Sequence, residues 1–200
     1  MKYLFATNNP GKVRELKAMF CEAGLSLIAL SDLNLTLDAP EETGASFEEN
    51  AIIKAGQTAD FLRANGHCGY AVLADDSGLA IDALDGQPGV DSALFMGVDT
   101  PYKIRNAHII KMLDDVPPLQ RTARFISAIV CVLPSGETLT SRGEILGEIA
   151  TAPRGEGGFG YDPIFFVPEY GKTMAELSQD EKNKISHRGK ALRDMLGKLQ

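Results

Sequence analysis

Asn8-Asn9-Pro10-Gly11-Lys12 closes a short apolar run and opens a helical pattern. Asn9 suits an N-cap and Pro10 the first helical position. The helix start would then offer backbone N–H donors and the positive dipole end, with the Lys12 ammonium beside them. That is chemistry for an anion, phosphate above all. The Walker A pattern is not met, because Ala6 stands at its first glycine and Val13 where Ser or Thr would hold magnesium, so a P-loop NTPase is disfavoured. The same residues also read as a plain capped helix with a surface lysine.

Two acidic loops, Glu41-Glu42 and Asp75-Asp76, read either as solvated turn carboxylates or as oxygen ligands. Carboxylates from separate loops suit Mg²⁺, which takes one or two of them together with substrate phosphates. A run from Pro153 to Pro163 is rich in glycine and carries Phe159, Gly160, Tyr161 and Asp162, an aromatic platform for a base with an acceptor beside it. The alternative is that both rings anchor the loop in the core. Lys182, Lys184, His187 and Arg188 follow near the C-terminus. Adjacent His and Arg would gather donors at one point, suited to a carbonyl such as a purine 6-oxo group. His67 and His108 have no matching partners, and no Ser-His-Asp order or reactive-cysteine context marks covalent catalysis.

The elements that must position these groups follow from periodicity. Lys2 to Thr7 reads as a strand, with Val13, Leu16, Phe20 and Ala23 at helical spacing after it, and Leu25 to Leu30 as a second strand. Ser46 and Glu49 form a capping-box pattern opening a helix to about Ala64, with Lys54 two turns inside. Tyr70 to Ala74 reads as a strand ending at Asp75, which places the acidic pair at a strand's carboxyl end, where α/β sheets bind ligands. Residues 101 to 115 read as a helix. Arg121 to Leu133 and Glu137 to Ile149 read as a hairpin of the longest strands, and Asp180 to Leu199 as one last helix. The whole of residues 1–200 reads as a single α/β domain, with two lobes around a cleft as the variant form.

Bulk properties narrow the partners. A net charge of −7 opposes binding of a nucleic-acid backbone. Cys21, Cys68 and Cys131 form no C-x-x-C pair, and no run is long and apolar enough for a membrane span, so a cytoplasmic protein is expected.

Taken together, ATNNPGKVREL, EETGASFEENAIIKA, LADDSGL, GGFGYDPIF and EKNKISHRG, in this order along the chain, resemble the inosine/xanthosine triphosphate pyrophosphatases. The resemblance implies an elongated two-lobed α/β fold with a long mixed, twisted sheet flanked by helices and a cleft between lobes, and a homodimer. It also implies Mg²⁺-dependent cleavage of purine nucleoside triphosphates between the α- and β-phosphates. Carried over, Thr7, Asn8, Asn9, Pro10, Gly11 and Lys12 would line the phosphates with Lys54. Glu42 and Asp76 would hold metal, with Asp76 also the proton acceptor. Ser77, Phe159, Gly160, Tyr161, Asp162, Lys182, His187 and Arg188 would contact substrate. One departure is Ser92-Ala93-Leu94-Phe95, where the family commonly has arginine at the position of Leu94. Two other readings stay open: a pyrophosphatase of modified pyrimidine triphosphates, and a purine-nucleotide sensor without turnover.

Overall fold

The computed structural model describes residues 1–38 and 42–200. Ala39, Pro40 and Glu41 lie outside the described residues, and with them the Glu41 candidate. Among the described residues the strands are β1 (Lys2–Phe5), β2 (Leu27–Ala29), β3 (Tyr70–Ile81), β4 (Thr122–Val132), β5 (Thr138–Ile149), β6 (Phe165–Val167) and β7 (Lys172–Thr173). The α-helices are α1 (Pro10–Glu22), α2 (Phe47–Ala64), α3 (Tyr102–Met112), α4 (Gln179–Ile185) and α5 (His187–Lys198). The strands form one sheet of order β2-β1-β3-β4-β5-β6-β7. It is mixed: β1 is parallel to β2 and β3, whereas β5-β6 and β6-β7 are antiparallel. The expected α/β class with a mixed, twisted sheet flanked by helices is therefore the class observed.

The chain divides into two compact units, one of residues 1–76, 127–143 and 188–200, the other of residues 77–126 and 144–187. The first packs Leu16, Met19 and Phe20 of α1 with Leu192, Met195 and Leu196 of α5 against Phe5, Leu73 and Ile129 of the strands. The second gathers Ile109, Leu113, Phe125, Tyr161, Ile164 and Phe165. Each fully buried side chain of this size contributes roughly 1.5–3 kcal/mol.

Three expectations change. β3 does not stop at Ala74; it runs to Ile81, so Asp75 and Asp76 lie within a strand of 12 residues. Buried Leu79 and Ile81 reward continued extension, and Gly78 sits outside the left-handed region, so it does not break the strand. What ends instead is β1: Phe5 pairs with Leu73, the Ala6 N–H donates to the Leu73 carbonyl at 2.7 Å, and β3 continues past it. The second strand is shorter than Leu25–Leu30, because Leu30–Leu33 turns into a 3-10 helix. The last helix is two, because Ser186 is extended (φ −62°, ψ 153°) and separates α4 from α5.

Candidate active site

In the first unit, the turn from β1 into α1 delivers Lys12 to the aspartates of β3. Lys12 Nζ bonds Asp75 Oδ1 at 2.9 Å. The other Asp75 oxygen accepts from Arg188 Nε at 3.1 Å, and Arg188 Nη1 donates to Glu15 at 2.6 Å. Asp75, Arg188 and Glu15 are all buried. The start of α1 differs from expectation in one respect. The Gly11 and Lys12 N–H groups, expected to be open for an anion, both donate to Asn9 Oδ1, at 2.9 and 3.2 Å, and Thr7 Oγ1 accepts from the Asn9 N–H at 3.2 Å. The side-chain oxygen of an asparagine N-cap accepts from the first free amides of its helix.

One residue along β3, the partners change. Asp76 Oδ1 accepts from Lys54 Nζ at 2.7 Å, and the same Nζ reaches Glu42 Oε1 at 3.2 Å. Asn50, four residues before Lys54 on α2, donates to Asp76 Oδ2 at 3.3 Å while its Oδ1 accepts from the Gly44 N–H at 2.8 Å. Asn50 thus ties the acidic loop to Asp76. The Ser46 cap opens α2 as expected, but the Glu49 carboxylate takes the Ala45 N–H.

The electrostatics of the two aspartates diverge. Burial works against the Asp75 charge, but Lys12, Arg188 and Lys54 outweigh it and hold its carboxyl well below the usual range. For Asp76, burial wins over Lys54, and Glu42 adds to the effect, so its carboxyl is raised. Burial lowers Lys12; Asp75 pulls it back, while Arg188 and Lys54 push it down again. Lys54 is raised, because Asp76, Asp75 and Glu42 overcome its burial.

A divalent cation fits this donor set. Glu42 and Asp76 already bracket one cation, the Lys54 ammonium, with hard oxygen ligands from two elements. Among the described residues no cluster of three or more His, Cys, Asp or Glu forms a full protein cage. Two carboxylates completed by phosphate oxygens is the arrangement Mg²⁺ favours.

In the second unit, Asp162 organises the glycine-rich loop. Its Oδ2 accepts from the Phe159 N–H at 2.7 Å and from Lys182 Nζ at 2.7 Å. That Nζ also lies 4.7 Å from the Phe159 ring centroid, a cation–π contact under a partly exposed ring. Gly158 has φ +71°, and a Cβ there would collide with the Asp162 carboxylate, so glycine is needed for two reasons. Tyr161 is buried and its hydroxyl donates to the Ser92 carbonyl at 2.7 Å, so this ring anchors the loop. Burial pushes its phenol up to about 12.

His187 and Arg188 open α5. His187 is buried and stacks on Phe125 at 4.8 Å, while Arg188 turns to Asp75 and Glu15. The extended Ser186 starts a new helix here, and successive residues of a first turn point in different directions. Ser77 follows Asp76 in β3, partly buried. Glu15 and Asn50 were not anticipated. Their signal was spacing: Glu15 stands three residues after Lys12 and Asn50 four before Lys54, each sharing a helix face with its lysine.

A family model described as the Ham1 family matches residues 3–198. A dITP/XTP pyrophosphatase from an Exiguobacterium species is 51% identical over 197 residues, covering 98% of this chain and 95% of that protein. A dITP/XTP pyrophosphatase from Thermus thermophilus is 46% identical over 196 residues, covering 98% and 90%. The solved structure of the Staphylococcus aureus Ham1 protein aligns with a TM-score of 0.84 at 39% identity, covering 100% of this chain and 98% of that one.

Proposed function

The chain belongs to the Ham1 family, and from that premise we propose that it is a Mg²⁺-dependent pyrophosphohydrolase of dITP, ITP, XTP and dXTP. It is a hydrolase acting on triphosphate anhydride bonds of deaminated purine nucleotides. The products are the nucleoside monophosphate and pyrophosphate, and the role is to clear damaged purines from the nucleotide pool. The observation that carries the reading is the meeting of Glu42 and Asp76 on a single cation, Lys54 Nζ, at 3.2 and 2.7 Å.

Lys12, Lys54 and the Thr7–Gly11 turn are assigned to the phosphate chain. For the Gly11 and Lys12 amides to bind phosphate, Asn9 must release them. Glu42 and Asp76 would hold Mg²⁺, which when bound neutralises charge on the triphosphate. Asp76, its carboxyl raised by burial, accepts the proton of the attacking water. The water oxygen bonds the α-phosphorus, the bond to the bridging oxygen breaks, and Lys12 and Lys54 offset the charge of the departing pyrophosphate. The base is assigned to the Phe159 ring, the Gly160–Asp162 backbone, Ser77, Lys182 and His187. Arg188 keeps a substrate role only through donors other than the Nε and Nη1 given to Asp75 and Glu15. Donors facing a 6-oxo group would meet hydrogens on the 6-amino group of adenine, a mismatch that can reject an analogue by about 10⁴-fold.

We also assign residues 1–200 to one catalytic domain, in a cytoplasmic homodimer that binds neither nucleic acid nor membrane. Exposed apolar Leu94, Met96, Val98 and Ile104 in the second unit support a self-association surface. All three cysteines are free, and no described helix is long and apolar enough to cross a membrane. Pyrophosphate release from dITP, XTP, ATP and dTTP with Mg²⁺ tests the proposal. Preference for dITP and XTP supports it. Equal turnover of ATP overturns it, preference for a pyrimidine indicates a different house-cleaning activity, and tight binding with no pyrophosphate indicates a sensor.

A further inference from the structure

The same face of α3 touches the glycine-rich loop twice at Gly160. Tyr102 and Asn106, four residues apart, share a helix face. Asn106 Nδ2 donates to the Gly160 carbonyl at 3.2 Å. The Tyr102 ring lies 3.7 Å from where a Cβ on Gly160 would stand, and it meets the Tyr161 ring edge-on at 5.1 Å. Gly160 is left-handed at φ +67°, a conformation glycine adopts without strain. Behind this pair, Arg105 is fully buried and gives its donors to the carbonyls of Thr100, Ser92, Ala93, Gly97 and Val98, while its guanidinium covers the Tyr102 ring at 4.8 Å. The Ser92 carbonyl also accepts from Tyr161. The segment around Leu94, where the sequence departs from its family's pattern, is therefore built on Arg105.

Asn106 is 4% exposed, and its Oδ1 is buried without a hydrogen-bond partner among the described residues. An unpaired buried acceptor is a liability for stability. What the amide accomplishes is the bond to Gly160. We propose that Asn106, backed by Tyr102 and Arg105, is a positioning residue that fixes the Phe159–Tyr161 segment and so sets the base-stacking ring without touching the reacting atoms. The inference rests on the base-site reading above. A stacking ring binds ground and transition states alike, so loosening it raises KM and spares kcat.

Asn106→Ala removes the bond; Asn106→Leu removes it and keeps the volume, and decides the matter if the alanine variant does not fold. Amide hydrogen exchange of the Gly157–Tyr161 segment in the free protein should rise about 2- to 13-fold, the factor expected for one net hydrogen bond. KM for dITP should rise by a similar factor with kcat within about twofold, and the inhibition constant of inorganic pyrophosphate should stay unchanged. Unchanged loop exchange overturns the clamp, as does a fall in kcat at constant KM, or a pyrophosphate constant that moves with KM. A lowered melting temperature with unchanged KM also overturns it, since that is purely structural behaviour. The exchange measurement needs no substrate, so it tests the clamp even if dITP proves not to be hydrolysed.

Discussion

Charged side chains hold the Asp75–Asp76 group, where Lys12, Arg188 and Lys54 meet the carboxylates of Glu15, Asp75, Asp76 and Glu42. The Gly155–Asp162 loop is held mainly through its own backbone: the Gly157 N–H goes to Ala175, the Phe159 N–H to Asp162, the Gly160 carbonyl to Asn106, and the Arg154 carbonyl to Thr173. The first arrangement stores charge against charge and suits a highly charged ligand, whose arrival redistributes those pairings. The second fixes the shape of a glycine-rich loop around one partly exposed ring and suits a flat, neutral ligand. Substitutions in the first group should therefore act on the chemical step or on stability, and those in the second on binding and base choice.

The sharpest test of that division is Asp76→Asn, which removes the proton acceptor while keeping size and one acceptor oxygen. We expect kcat for dITP to fall by about 10²–10⁴-fold, the range for a lost general base. Full activity, measured as pyrophosphate release, would remove Asp76 from the mechanism. Its neighbour should behave differently. Asp75→Ala leaves the buried Arg188 and the partly buried Lys12 without the carboxylate they share, and breaking such a pair is expected to lower unfolding stability by about 3–5 kcal/mol in urea titration. If Asp75→Ala is as stable as the native chain, the charged group is not what holds this region.

The loop's counterpart is Phe159→Ala. Base-aromatic stacking is worth about 1–3 kcal/mol, so KM for dITP should rise about 5- to 150-fold while kcat stays nearly constant. A fall in kcat with KM unchanged would erase the contrast between the two regions.

How legible these regions were in the sequence follows from how local their determinants are. Asn9-Pro10 and Ser46 announced the starts of α1 and α2 because a cap is a matter of a few neighbouring residues. Lys12, the Asp75-Asp76 pair and Phe159 stood out by type and position, whereas only the family resemblance singled out Asp76 and gave Lys54 a role. What the sequence concealed was set by distant contacts. The strand through Asp75 and Asp76 continues because Leu79 and Ile81 find a core, which no turn residue nearby signals. His187 and Arg188 look like one cluster in the sequence, yet nothing nearby signals the extended Ser186 that starts a new helix or the bond of Arg188 to the distant Glu15. Asn106 lies in an otherwise ordinary helix and gains meaning only from Gly160, 54 positions later.

The smallest expected effect separates the adjacent aspartates by pH. The carboxyl of Asp75 lies below its unfolded value near 3.9, so its contribution to stability is present above that pH and is lost as pH falls through the folded value. Asp76 has the opposite sign. Its folded carboxyl is raised, so the folded chain takes up a proton first, and the associated stability is present at low pH and lost as pH rises through the folded value. On acidification the native chain should gain a little from Asp76 above about pH 4 and lose from Asp75 below it, two contributions that partly cancel. Urea midpoints measured from pH 6 to pH 3 should show the upper gain vanish in Asp76→Asn and the lower loss vanish in Asp75→Asn. If both variants lose the same limb, the two aspartates share one environment, and the assignment of proton acceptor to Asp76 and of structural anchor to Asp75 fails with it.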